Sequence, residues 1–124
     1  RVNVTNCVNY GLENLTGLPN GIHVTGSKVI IRGCVSSNVL TITGASEVEV
    51  VDCSFSNTLT LSGSSSLYAH NSRFGNLTAT QDSNVTFVDS NASTTNITGG
   101  KARFYGSKFG NVTFNACDWE GHDC

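Results

Sequence analysis

Seven asparagines of this 124-residue chain stand in N-x-Ser/Thr sequons: Asn3, Asn14, Asn76, Asn84, Asn91, Asn96 and Asn111. With 14 Asn against 29 Ser and Thr, chance would place about three, so acceptors for N-linked sugar are enriched about twofold. Such a set points to a secreted glycoprotein of eukaryotic type. Five cysteines, Cys7, Cys34, Cys53, Cys117 and Cys124, in a chain with few charges also fit an oxidising compartment. Cys117 and Cys124 lack the C-x₂-C partners of a zinc site, so no metal is expected. No cofactor is expected either, beyond covalent glycans.

Two further sets could carry chemistry. Asp52, Asn71 and Asp89 recur at nearly constant spacing, with His70 beside Asn71. On stacked strands the two carboxylates would lie about 9.6 Å apart, near the separation of an inverting glycosidase pair. No Arg or Lys sits in the neighbouring places to hold an anionic sugar, and Asp and Asn are ordinary turn residues. We therefore expect no enzymatic activity. The last set is hydroxylic: Thr41, Thr60, Thr78, Thr98 and Thr113 form one series, and Thr25, Thr43, Ser62 and Thr80 a second beside it.

The elements that must position these residues repeat. Six imperfect copies of one phrase begin at Val2, Val29, Val48, Leu67, Val85 and Ala102, and those from Val29 onward start 19, 19, 18 and 17 residues apart. A period of this length marks a solenoid, whose coils bury their apolar sides only against their neighbours. Apolar or small residues alternate on three segments per coil, as on strands with one buried face. The first segment carries Val2/Val4, Val29/Ile31, Val48/Val50, Leu67/Ala69, Val85/Phe87 and Ala102/Phe104. The second carries Cys34/Ser36, Cys53/Phe55, Ser72/Phe74, Ser90/Ala92 and Ser107/Phe109. The third carries Ile22/Val24, Leu40/Ile42, Leu59/Leu61, Leu77/Ala79, Ile97/Gly99 and Val112/Phe114.

This predicts an all-β chain of 1–124 forming one parallel β-solenoid domain. It has six to seven coils of about 18–19 residues, each of three short strands. Gly26, Gly44 and Gly63 fall at a corner with unusual dihedrals. Residues 9–21 read as a surface loop around Pro19-Asn20-Gly21, and a smaller insertion is expected between Asn91 and Asn96. Asn3 and Asn91 lie between inward residues and so point outward. With Asn84 and Asn14 they are the preferred glycosylation sites. Asn76, Asn96 and Asn111 share a corner, where sugars on consecutive coils would crowd.

These columns resemble those of parallel β-helix proteins, the pectate-lyase-like solenoids in particular. An Asn before the third segment (Asn38, Asn57, Asn76, Asn96, Asn111) resembles the corner ladders of that family. The resemblance implies a right-handed coil. A triangular coil of about 18 residues also resembles left-handed hexapeptide solenoids, whose six-residue phrase is missing here, so both hands stay open. Thr41-x-Thr43 and Thr78-x-Thr80 resemble the TxT rows of insect antifreeze solenoids, which implies ice binding as an alternative function. A carbohydrate-binding or adhesin stalk, or a fragment of a polysaccharide-active β-helix, is a further alternative.

The formal net charge of −2 offers no basic field for nucleic acid or an anionic membrane. No apolar run is long enough to span a bilayer. Arg1 reads as the start of a processed form. Val2 and Val4 already occupy core columns, the tail runs toward a seventh coil, and no amphipathic helix caps either end. Such ends invite head-to-tail stacking into a homopolymer. Cys7, Cys34, Cys53 and Cys124 share one column. Cys34 with Cys53, and Cys124 with Cys7 of the next subunit, is one consistent disulfide scheme, and a local Cys117–Cys124 bond or packed thiols are the alternatives. The leading expectation is an extracellular structural glycoprotein that stacks end to end, resembling in general architecture glycan-coated β-solenoid fibrils.

Overall fold

A computed structural model of the chain describes residues 2–5, 10–13, 22–36, 39–115 and 118–122. The chain is all-β. It opens with β1 (Val2–Thr5), β2 (Tyr10–Glu13) and β3 (Ile22–Thr25). Two coils of three strands follow: β4 (Lys28–Arg32), β5 (Val35–Ser36) and β6 (Leu40–Thr43), then β7 (Glu47–Val51), β8 (Ser54–Phe55) and β9 (Leu59–Leu61). In the next three coils the second and third segments fuse. These are β10 (Ser66–His70) with β11 (Arg73–Ala79), β12 (Asn84–Val88) with β13 (Asn91–Thr98), and β14 (Lys101–Tyr105) with β15 (Lys108–Asn115). β16 (Asp118–His122) begins one coil more.

Every strand pairs in parallel with its counterpart in the adjacent coil. One sheet runs β1-β3-β6-β9-β11-β13-β15 and the other β2-β4-β7-β10-β12-β14-β16. The result is a parallel β-solenoid of about five turns, slightly below the six to seven coils expected. Among the described residues, β1 and β16 are each the single strand of their coil at the two ends.

Alternation places Val, Ile, Leu and Phe inside. Val29, Ile31, Leu40, Ile42, Val50, Leu59, Leu61 and Phe87 are at most 1% exposed, so each coil is sealed by the one above it. Toward the last coils the core turns aromatic. Phe55 stacks on Phe74 and Phe74 on Phe87, with ring centroids 5.8 and 5.3 Å apart. Phe104, Phe109, Phe114 and Trp119 continue the series.

The register corrects four expectations. Val2 and Val4 pair with Ile22 and Val24, so they belong to the third column and not the first. The first column's opening member is Tyr10–Glu13, expected as loop but forming β2, with Tyr10 opposite Val29 and Leu12 opposite Ile31. A Val-x-Val pair looks alike on either sheet, and Gly11 weakens the strand signal of its own segment. Third, no insertion interrupts 91–96. β13 pairs continuously with β11, so Thr95 lies opposite Leu77 and Ile97 opposite Ala79. Fourth, Gly99 therefore leaves the third column for the corner, where it takes φ +70°. The residue lost from this coil is lost at that corner, where Gly99-Gly100 replaces the longer Gln81-Asp82-Ser83 run.

Candidate functional site

Two corners align their backbone strain from coil to coil. Gly33, Asp52, Asn71, Asp89 and Gly106 all take positive φ, between 50° and 60°. Gly, Asn and Asp visit this left-handed region at least cost, which explains why they recur in this column. Asn71 Nδ2 donates to Asp52 Oδ1 at 2.8 Å, so the amide separates the two carboxylate positions and ties one of them down. Among the described residues no group of three or more His, Cys, Asp or Glu is placed to hold a metal ion.

Behind these corners run two internal ladders of hydroxyls and thiols; the pattern of inward Cys and Ser predicts the first, and the second lies outside that pattern. In one, Cys34 N–H donates to Cys53 Sγ (3.3 Å), Cys53 N–H to Ser72 Oγ (3.2 Å), Ser72 N–H to Ser90 Oγ (3.1 Å) and Ser90 N–H to Ser107 Oγ (3.2 Å). Each side chain in turn donates to the carbonyl two residues back, as Ser90 does to Val88 at 3.0 Å. In the other, Ser27 N–H reaches Ser46 Oγ and Ser46 N–H reaches Ser65 Oγ, both at 3.0 Å. Ser65 and Ser83 are buried in the same column. A corner turns the chain away from its sheet, and an inward hydroxyl supplies the partner that a buried N–H requires. The signal was present as Ser27, Ser46, Ser65 and Ser107 one or two residues after Gly26, Gly44, Gly63 and Gly106, and as Cys or Ser directly after Gly33, Asp52, Asn71 and Asp89.

The Cys34–Cys53 disulfide is not formed; both residues carry thiols. Burial pushes the Cys53 thiol up from its ordinary 9.0 to about 11, with backbone hydrogen bonding opposing the shift. Cysteine here does the work of serine in a hydrogen-bonded column. Cys7, Cys117 and Cys124 lie outside the described residues, as do Asn14 and Asn38.

On the outer faces, the sequon asparagines Asn76, Asn84, Asn96 and Asn111 are exposed and Asn91 is half-buried. Asn3 lies on β1 opposite His23. Asn96 does not share a corner with Asn76 and Asn111. It faces Thr78 and Thr113, while Thr94 stands between Asn76 and Asn111. The crowding expected there is relieved, since Asn76 and Asn111 are two strands apart, about 9.6 Å.

The same register rearranges the threonines. The first row reads His23, Thr41, Thr60, Thr78, Asn96 and Thr113, and Thr98 moves to the second row beside Asn115. Thr25 and Thr43 hydroxyls meet at 3.3 Å in that second row. Thr41, Thr43, Thr60, Thr78 and Thr80 are half-buried, and Thr98 is exposed.

At the far end, Trp119 aligns with Ala102 in an inward column, yet it is 56% exposed because no described strand lies beyond β16. Val112, equally inward, is 43% exposed. Arg103 braces this end from outside, within 3.6 Å of Asp118 and 3.4 Å of Glu120. His122 bonds to Glu120 and stacks on Tyr105. Its alignment with Tyr105 places the tail in the first column. Comparison with protein-family models, with curated proteins and with solved structures finds no match to this chain.

Proposed function

We propose that this chain is an extracellular structural glycoprotein whose solenoid joins further copies of itself head to tail. One observation carries the reading. Both sheets run in a single parallel register to β15 and β16, whose outer edges present Val112 and Trp119. An edge strand with unpaired backbone groups and an apolar inner face is a template for another strand. The opposite end offers β1 and β2, strands of the same two sheets running in the same direction. Joining β15 to β1 and β16 to β2 of the next copy repeats one heterologous contact, which builds an open filament. Seven strands per path give an axial advance of about 34 Å per subunit.

The exposed sequons support a sugar coat, which would block lateral pairing of sheet faces while leaving the ends clear. An intersubunit bond between Cys124 and Cys7 belongs to this reading. Reductant that dissolves polymers into monomers would support it.

Electron microscopy of the purified protein, with intact mass before and after deglycosylation, tests the proposal. Filaments with a repeat near 34 Å and a sugar-bearing mass are expected. Monodisperse monomers at every concentration would overturn the fibre reading and favour a capped adhesin or carbohydrate-binding stalk. The hydroxyl rows favour an ice-binding reading less, because His23, Asn96 and Asn115 break them and Asn96 is itself a sequon. Thermal hysteresis by monomers would reverse that preference.

A further inference from the structure

We infer that the trough on the outer face of the β2–β16 sheet seats the N-linked sugar carried by Asn84, with the Tyr68 ring as its stacking platform. The inference rests on the glycoprotein reading above. The trough runs across the strands with a volume of about 330 Å³, and its floor is the backbone of Val29, Val48 and Leu67. Tyr68, Asn84 and Thr86 line it together. Asn84 and Thr86 are the first and third residues of one sequon, Asn84-Val85-Thr86, so acceptor and trough belong to the same strand.

The register sets the reach. Asn84 lies opposite Ser66 on the adjoining strand, and Tyr68 stands two residues along it. That diagonal is about 7–8 Å between backbones, a span that an asparagine bearing its first sugar ring covers. Tyr68 is 42% exposed, a large aromatic surface turned to solvent. A pyranose presents an apolar C–H face and hydroxyl edges, and it fits an aromatic platform flanked by polar groups. Glu49 beside Tyr68 supplies hydrogen-bond acceptors, and the Lys28–Glu47 pair at 3.9 Å closes the far end. Small Ser66 leaves the approach from Asn84 open.

The pairing is particular to this sequon. Asn76, Asn91, Asn96 and Asn111 have no outward aromatic residue directly or diagonally across their described neighbouring strands. Their facing residues include Thr94, Arg73, Lys108, Thr78 and Thr113. Among Asn76, Asn84, Asn91, Asn96 and Asn111, only Asn84 has an outward aromatic ring one diagonal away.

Secretion from a eukaryotic host, peptide mapping of occupancy and thermal melts of a double-mutant set test this. Asn84 should be occupied, and Asn84→Gln should lower Tm by about 3–5 °C while Tyr68 is present. The same substitution should cost less than about 1 °C beside Tyr68→Ala and the full amount beside Tyr68→Phe. In protein made without sugar the coupling should vanish. The N-acetyl methyl protons of the Asn84 sugar should be shifted upfield by the ring in the Tyr68 and Phe proteins only. Sugar on other sequons with Asn84 bare, or an occupied Asn84 with neither coupling nor shift, would overturn this inference alone. Sugar on no sequon would overturn the glycoprotein reading as well.

Discussion

At the scale of single residues, the interior shows where polar groups are satisfied and where they are not. Thr95 is fully buried between Leu77 and Val112, and its hydroxyl has no partner among the described residues. A buried hydroxyl without a hydrogen bond costs about 1–3 kcal/mol. Thr95→Val keeps the shape and removes the orphan, so it should raise unfolding stability by about 1 kcal/mol in a urea melt. The thiol of Cys53 is the opposite case, since it accepts from Cys34 N–H and donates to the Val51 carbonyl at 3.2 Å. Cys53→Ser should fold normally, whereas Cys53→Ala should lose about 1–3 kcal/mol by stranding a buried N–H. Its raised pKa also sets a pH limit. The folded state holds the thiol protonated to about 11 against 9.0 unfolded, so this contribution to stability is complete below pH 9. It declines as pH rises from there through 11, because the unfolded thiol ionises first. Denaturant midpoints taken between pH 8 and 11 check the decline, which Cys53→Ser should lessen.

At the scale of elements, corners limit the repeat more tightly than strands do. Strand positions accept Val, Ile, Leu, Ala or Phe, yet the corners require left-handed backbone in almost every coil. Gly100 is the tightest. Its φ is +72°, and a Cβ there would stand 2.0 Å from the Ser83 carbonyl oxygen of the coil below. Gly44, at φ +68°, would meet its nearest atom at 3.1 Å. Left-handed conformation costs an ordinary residue roughly 1–2 kcal/mol, and the backbone clash adds to it. Gly100→Ala should therefore destabilise by at least about 2 kcal/mol and more than Gly44→Ala, read as midpoint shifts in the same melt. The one-residue contraction at Gly99-Gly100 thus depends on both glycines.

At the scale of the whole molecule, assembly turns on the edge that β15 and β16 present. Trp119 and Val112 are exposed while facing the interior; charging Val112 removes little existing packing and charging Trp119 gives up its stack on Phe114, and each places a cation where the next coil would close. Val112→Lys should leave the circular dichroism of the monomer unchanged, and Trp119→Lys should keep its far-UV β-sheet signal. Each should also raise the concentration needed for filaments by more than about tenfold, the equivalent of 1.4 kcal/mol per contact. Sedimentation of dilution series measures this. Filament formation by the double variant at wild-type concentration would place the contact elsewhere.

Much of this was legible beforehand. The near-constant period, the i, i+2 apolar pairs and the corner glycines determined a parallel solenoid and most of its core columns, because burial of one strand face leaves a mark at every second residue. What the tertiary structure alone decided was phase and partner. Val2-x-Val4 fits either sheet by pattern, and only pairing with β3 assigned it. Ile97 was free to align with Leu77 or Ala79 until β13 was seen to continue unbroken from Ala92. The disulfide reading of Cys34 and Cys53 failed because adjacency in a column says nothing about whether an N–H needs that sulfur. Tyr68 and Asn84 were likewise unconnected in the chain, 16 residues apart, until two strands laid them side by side.

One continuous stack of strands, with no described strand beyond β16, underlies the assembly proposal. Periodicity could announce that stack, since each coil repeats the same burial requirement. Register could not be announced, because shifting a strand by two residues preserves the pattern of faces while changing every neighbour.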